Sequence, residues 1–314
     1  MTTSTVLNIP LAPVTGDRFQ PTGFPDLGAA TFQAWRDGKW VPALHVESPQ
    51  SMANRLELAT WDTSSEDQPT ALEGLPYVRV VNSDGEFITS SRLEAHRLGS
   101  AYVMDATHDS QTVRDWLPGV LGVTKNKALD HRVLAKGVFE LDPLSLIHGV
   151  FFAQKEWAWQ PKIARALTCF IDAVGVQPAV SGGVKTDSVN PKSVVGQGAG
   201  EGYGMVPHQR VEYVAQQITA SVVIDRGQIA SYGLSEHSEA LLNALIDFEL
   251  ASVFRSDFLR LRTNCMLVAD ASSDGMSSIP SMDDATAALV SAIGKASGEL
   301  GSITEVKWAG KGKS

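Results

Sequence analysis

Side chains able to do chemistry are scattered along this chain, but not at spacings that assemble a reaction. His45, His96, His108, His131, His148, His208 and His237 show no ligand spacing. Each reads as a structural or surface residue before a metal ligand or a base. HExxH and GxSxG are absent. Gly196-Gln197-Gly198-Ala199-Gly200-Glu201 opens like a dinucleotide loop, yet Glu201 stands where the third glycine belongs. Gly312-Lys313-Ser314 mimics the end of a phosphate loop, but the earlier glycine it needs falls at Lys307. Asp105, Asp109 and Asp115 lack the glycine and terminal glutamate of a calcium loop. Cys169 and Cys265 lie far apart in apolar contexts, which suits neither a disulfide framework nor a CxxC metal site and implies a reducing compartment. These residues predict no catalytic site, no metal and no cofactor.

Charge argues first against a nucleic-acid partner. The 314 residues hold 26 Lys and Arg against 35 Asp and Glu, a net charge of -9, whereas phosphate binders are usually basic. The excess of acid is uneven, however. Between Phe151 and Gly200 the bases Lys155, Lys162, Arg165, Lys185 and Lys192 outnumber Glu156, Asp172 and Asp187. A local basic groove on an acidic body fits this distribution, the acidic faces limiting indiscriminate binding. No apolar run approaches the roughly 18 residues of a membrane span. Met1-Thr2-Thr3-Ser4-Thr5 lacks the basic stretch and apolar core of a secretory signal, so a cytoplasmic location is expected.

The elements that would position a site follow from periodicity. Trp40–Val46 predicts a strand with Leu44 and Val46 on one face and His45 on the other. A helix over Ser51–Ala59 follows, with Met52, Leu56 and Ala59 inward and Gln50, Asn54 and Glu57 on another face. Tyr77–Val81 and Glu86–Thr89 flank Asn82-Ser83-Asp84-Gly85, a hairpin signal. Ser91 with Glu94 makes a capping box for a helix through Leu98. Ile163, Leu167, Phe170, Ile171 and Val174 give an amphipathic helix. Ser181–Pro207 is a long glycine- and serine-rich loop, Glu212–Asp225 a long β segment, and Ser235–Phe254 a helix. Leu261–Val268 reads as a strand, Asp270–Asp284 as an acidic loop and Ala285–Ala296 as a last helix, before a disordered tail over 306–314. Strands and helices interleave without βαβ spacing, so the class is α+β with a mainly antiparallel sheet in a single domain.

Five segments in order carry a resemblance. They are Glu47-Ser48-Pro49-Gln50-Ser51-Met52-Ala53-Asn54-Arg55-Leu56-Glu57, Leu93-Glu94-Ala95-His96-Arg97-Leu98, Ser181-Gly182-Gly183-Val184-Lys185, Gly202-Tyr203-Gly204-Met205-Val206-Pro207 and Leu259-Arg260-Leu261-Arg262-Thr263. Between Phe19 and Ala269 the chain resembles the backbone RAMP-superfamily subunit of the type I-G (formerly I-U) CRISPR effector complex, Cascade. It departs where Met266, and not an acidic residue, follows Cys265. The resemblance implies a modified RNA-recognition (ferredoxin-like) palm with inserted lobes, a thumb or helical lobes within about 60–160 and the loop 181–207. It implies a structural, non-enzymatic subunit that binds crRNA and self-associates as a filament along it. The implied partners are the target DNA strand reached through the guide, a fused RNA-processing or cap subunit and a large subunit, with no membrane.

On that reading Gln50, Ser51 and the first-turn amides hold a phosphate at a helix N-terminus, and Asn54 and Arg55 add donors; a capped helix with an exposed arginine fits equally well. His96 and Arg97 meet backbone or a neighbouring copy, or form a plain surface pair. Ser181, Gly182 and Gly183 let RNA backbone approach while Lys185 supplies charge. Tyr203 stacks on a base or anchors its loop. Arg260 and Arg262, alternating with Leu259 and Leu261, share one sheet face and form a phosphate track or pair with Asp257 or Asp270. Two other classes compete. One is a metal-dependent ribonuclease of the same superfamily using Asp187. The other is a small-molecule enzyme, supported by the acidic charge.

Overall fold

Alternation of apolar residues builds the central sheet. In the computed structural model, which describes residues 4–24, 28–185, 188–189 and 206–310, β1 (Thr5–Pro13) buries Leu7, Ile9 and Leu11. β2 (Thr31–Arg36) and β3 (Lys39–Glu47) form a hairpin that runs into α1 (Pro49–Leu58). After a long insertion come β8 (Leu167–Val174), β9 (Gln177–Lys185), β10 (Val206–Val214) and β11 (Gln217–Ile224). α5 (Glu236–Phe254) and the hairpin β12 (Leu259–Arg262) and β13 (Cys265–Ala269) follow. The large sheet has the order β12-β13-β1-β11-β8-β3-β2, and all its pairings are antiparallel. Its middle, β13-β1-β11-β8, is the βαββαβ arrangement of a ferredoxin-like palm, with α1 and α5 as the two helices. The class is α+β, mainly antiparallel.

One face of the sheet is covered. α1 lays Met52, Ala53 and Leu56 against β8 and α5. α5 is apolar nearly all round, as a helix packed on several sides must be, and α6 (Met282–Ala296) lies along it. Among the described residues the opposite face has no such layer. There Val6 and Asn8 are exposed and Thr168, Phe170, Thr219, Ser221 and Val223 are half-buried, while Asp172 is engaged by His45 Nδ1 at 2.5 Å.

The insertion between α1 and β8 forms a lobe. It contains the hairpin β4 (Val78–Val81) and β5 (Phe87–Ser90), the helices α2 (Val113–Val120), α3 (His131–Leu141) and α4 (Leu144–His148), and the short ribbon β6 (Val150–Phe151) and β7 (Lys162–Ile163). β14 (Thr304–Lys307) returns to pair parallel with β4, its Val306 fully buried beside Val80. The expected disordered tail therefore begins too early: its first residues, Val306 and Lys307, are strand, and 311–314 lie outside the described residues.

Other expectations change as well. Leu167–Val174 is a strand and not a helix: Leu167, Cys169, Ile171 and Ala173 are buried with period two, and β3 and β11 pair on its two sides. Ser91–Leu98 is a set of turns ending in a 3-10 helix at Arg97–Gly99. Ser91 Oγ accepts from the Val78 amide, and Glu94 is bonded to Thr89 and Ser100, so no capping box forms. Glu212–Asp225 is broken between β10 and β11, and Leu261–Val268 is a hairpin. The acidic loop contains a short helix at Asp274–Ser277.

Palm and lobe are joined by buried charges. Glu57 of α1 holds Arg97 of the lobe in two hydrogen bonds of 2.5 and 2.7 Å, and Arg97 Nη1 donates to the Gly149 carbonyl at 3.0 Å. Arg97 adopts φ 51°, a left-handed conformation disfavoured for any side chain, which these bonds must hold. Gly99 brings this turn directly onto β6, where a Cβ would meet the Phe151 carbonyl at 2.5 Å. Glu249 of α5 takes His148 Nε2 at 2.9 Å, both side chains fully buried. Burial opposes protonation of His148, but the charges of Glu249 and Glu57 outweigh it and raise its pKa above the ordinary value.

The sign of the pH effect follows. With the folded-state pKa raised, the pair's stabilisation is complete below about pH 6.5 and is lost as pH rises through the folded-state pKa. Thermal unfolding followed from mildly acidic to alkaline buffer should show the melting temperature falling over that window in the native chain. Glu249→Gln should lower it at acidic pH, since breaking a buried pair costs about 3–5 kcal/mol, and flatten the profile. A native profile flat across the window would mean that folding does not raise the His148 pKa.

Candidate functional site

The first helix is capped by Ser48, whose Oγ accepts the Ser51 amide at 3.2 Å. Ser51 thus gives one first-turn donor to its own cap. Gln50 is exposed, accepts from Arg165 Nη2 and lies 3.4 Å from Asn54, which also faces solvent. Arg55 does not stand free. Its Nη1 and Nη2 donate to the carbonyls of Arg260 and Leu261 at 3.1 and 2.5 Å, and its Nε lies 3.8 Å from Glu47. Arg262 turns to the same carboxylate and donates Nη1 to the carbonyls of Gln20 and Val46. Glu47 is 1% exposed. Two of the expected phosphate cations therefore form a clamp that ties α1 and β12 to a buried acid, because an acid buried there requires cations. The partner of Arg262 is Glu47, neither Asp257 nor Asp270.

Arg260 is exposed and separated from Arg262 by an irregularity in the β12–β13 register, so the pair makes no continuous track. His96 is exposed, but Arg97 is the buried partner of Glu57 and not a surface residue. Ser181, Gly182, Gly183 and Lys185 lie on β9, paired with β10 in a separate two-stranded ribbon, and not in a loop. Gly182, Gly183 and Lys185 are exposed. A Cβ at Gly183 would meet nothing within 4 Å, so crowding within the chain does not impose glycine there. Tyr203 and Asp187 lie outside the described residues.

The structure therefore brings Gln50 near Arg165, and Arg55 to Arg262, and leaves Lys185 apart on its ribbon. Sequence reasoning passed over Lys162 and Arg165. Both sit in the one base-rich block, but assigning Ile163–Val174 to a helix hid that they precede a strand beside the start of α1. Arg165 Nη1 donates to the Pro49 carbonyl at 3.3 Å. Among the described residues no group of three His, Cys, Asp or Glu is placed to hold a metal ion. Burial pushes the Cys169 thiol up to about 12 and the Cys265 thiol up to about 11, so neither is a ready nucleophile at neutral pH.

The clamp and the exposed cation predict opposite mutational outcomes. Arg55→Ala should destabilise the chain by about 1–3 kcal/mol, by removing donors from two carbonyls and one cation from Glu47. Arg260→Ala should change stability by no more than about 0.5 kcal/mol. Urea unfolding of both variants checks this, and equal midpoints would dissolve the clamp.

Residues 5–178, more than half of the chain, match the family model described as CRISPR-associated protein GSU0053. None of the curated proteins matches. Among solved structures, the chain is similar at 9% identity to Csc2 from Thermofilum pendens, with 94% of this chain and 77% of that chain covered and a TM-score of 0.32. It is also similar, at 9% identity, to a chain of a CRISPR RNA-guided surveillance complex in its pre-nicking state, with 79% and 72% covered and a TM-score of 0.37. The family match spans β1, the β2–β3 hairpin, α1, the lobe as far as β7, and β8, so it takes in the first half of the palm with Glu47 and Arg55 of the clamp, but not Arg262. The chain belongs to the CRISPR-associated protein GSU0053 family.

Proposed function

We propose that this chain is the guide-RNA-binding backbone subunit of a type I-G CRISPR effector complex. Several copies lie along the crRNA spacer and present it to the target DNA strand, with a fused RNA-processing subunit and a large subunit completing the assembly in the cytoplasm. The observation that carries the reading is the open face of a βαββαβ sheet in a chain of this CRISPR-associated family. RNA-recognition modules use such a four-stranded face, with aromatics stacked on bases. Here Phe170 stands on β8, the last strand of that face, directly opposite Ser221 on β11. The subtype rests on the five ordered segments.

The subunit acts as a scaffold. Phosphodiester cleavage commonly needs paired metal-binding carboxylates or a positioned acid and base. The clamp and the palm–lobe joint engage Glu47, Glu57, Arg97, His148 and Glu249 in structural pairs. Backbone contacts carry no base information, so unstructured RNAs of different sequence should bind with equal affinity. Affinity should fall with salt at a slope of about -0.7 per neutralised phosphate. Lys185→Ala should weaken binding and leave the melting temperature unchanged. Labelled guide and complementary strands incubated with the protein in magnesium or manganese should remain intact. Strong preference among unstructured sequences would count against the scaffold, and regularly spaced cuts abolished by Asp187→Ala would make it a ribonuclease.

A further inference from the structure

Where the lobe meets the start of α1, a groove of about 500 Å³ opens between the His96 turn, the β6–β7 ribbon and the residues entering β8. Phe151 and Lys162 are direct cross-strand partners on its wall, and Phe151 is 47% exposed. Arg165 enters from the other side, where its hydrogen-bond partners among the described residues are neutral, the Pro49 carbonyl and Gln50. His96 and Lys162 have no carboxylate partner among the described residues. Arg97 and His148 lie in the floor. His148 is fully buried, Glu249 occupies its Nε2, and its Nδ1 has no hydrogen-bond partner.

Charge singles this groove out. Among the described residues no aspartate or glutamate lines it, in a chain of net charge -9. Four other surface pockets each include an acid, among them Asp130, Glu94, Asp17 and Asp225. Burial, with the nearby charge of Arg97, holds the Arg165 guanidinium below its ordinary pKa, against the opposing pull of Glu57. An anion between Arg165 and Lys162 would relieve that repulsion and meet the positive end of α1. An aromatic ring beside a lysine, at the edge of an acid-free groove, suits a base followed by its phosphate.

We propose that this groove is a binding site for single-stranded RNA, taking one backbone phosphate between Arg165, Lys162 and His96 and the adjoining base against Phe151. The inference rests on the RNA-binding reading and adds to His96, which the recognised segments include, the residues Arg165, Lys162 and Phe151, which they do not. Gln50 orients Arg165, and the Glu57–Arg97 pair keeps the floor in place without lending its charge to the ligand.

The test is fluorescence anisotropy of the full chain with a short labelled oligouridylate, at several chloride concentrations. The variants are Lys162→Gln, Phe151→Ala and, as a control on α6, Lys295→Gln, each checked for an unchanged melting temperature. Lys162→Gln should bind several-fold more weakly and lower the salt slope by about 0.7. Phe151→Ala should bind roughly tenfold more weakly at an unchanged slope, as the loss of one stacked base requires. Native RNA binding with both groove variants behaving like the control would overturn the groove and leave the scaffold reading standing. Failure of the native chain to bind RNA would overturn both. If inorganic phosphate displaces the RNA far better than chloride at equal ionic strength, and Phe151→Ala has no effect, the groove takes free anions and the assignment to RNA falls.

Discussion

Two inward-facing carboxylates fix how the inserted lobe is aligned on the palm helices. Glu57 on α1 and Glu249 on α5 are both buried, and each meets a cation from the inserted lobe. A buried acid without its cation is strongly unfavourable, so the lobe cannot dock in a neighbouring register that leaves either one alone. Apolar packing sets the area of this contact, and the paired charges set its alignment. The left-handed backbone at Arg97 and the close approach at Gly99 follow, since the guanidinium must reach both Glu57 oxygens and the Gly149 carbonyl.

The same economy appears at the sheet edge. β12 is the outermost strand, and its backbone carbonyls would otherwise face solvent or another chain. Arg55 covers two of them while it shares Glu47 with Arg262. One residue thus fixes α1 against the hairpin and blunts an edge. These arginines lie in two of the segments that carry the sequence resemblance, and in the structure both are engaged by a buried acid and by backbone carbonyls.

Much of the palm was legible in the sequence. Ser235 and the apolar stripe of α5 mark a helix start and a core face, and Leu44 with Val46 mark the buried side of β3. β8 was misread because Ile163, Leu167, Phe170, Ile171 and Val174 fit a helical period while Leu167, Cys169, Ile171 and Ala173 fit an alternating one. Pairing by β3 and β11 decides between them, and neither partner is local. β1 escaped notice because Pro10 and Pro13 interrupt its alternation, and β13 pairs only with Leu11–Pro13. The site was harder. Whether an arginine faces solvent depends on where an acid lies in space, and Glu47 precedes Arg262 by most of the chain. Glu57 was placed on a polar helix face, correctly by spacing, but the lobe that buries it is inserted later in the sequence.

The parallel pairing of β14 with β4 bears on the order in which the molecule can be completed. Val80 is made early and Val306 after every strand of the palm, yet they lie side by side in the lobe. As the chain leaves the ribosome, β4 and β5 emerge as a hairpin with one unpaired edge, and a short hairpin alone is marginally stable in water. The lobe remains unfinished while the palm closes around β1, β11 and β13, and its edge is open to misassociation during that interval. Joining elements so distant in sequence also slows folding, because the chain loses loop entropy before the contact forms. Synthesis rate and chaperone access, more than palm stability, would then govern how much of this subunit reaches its working form.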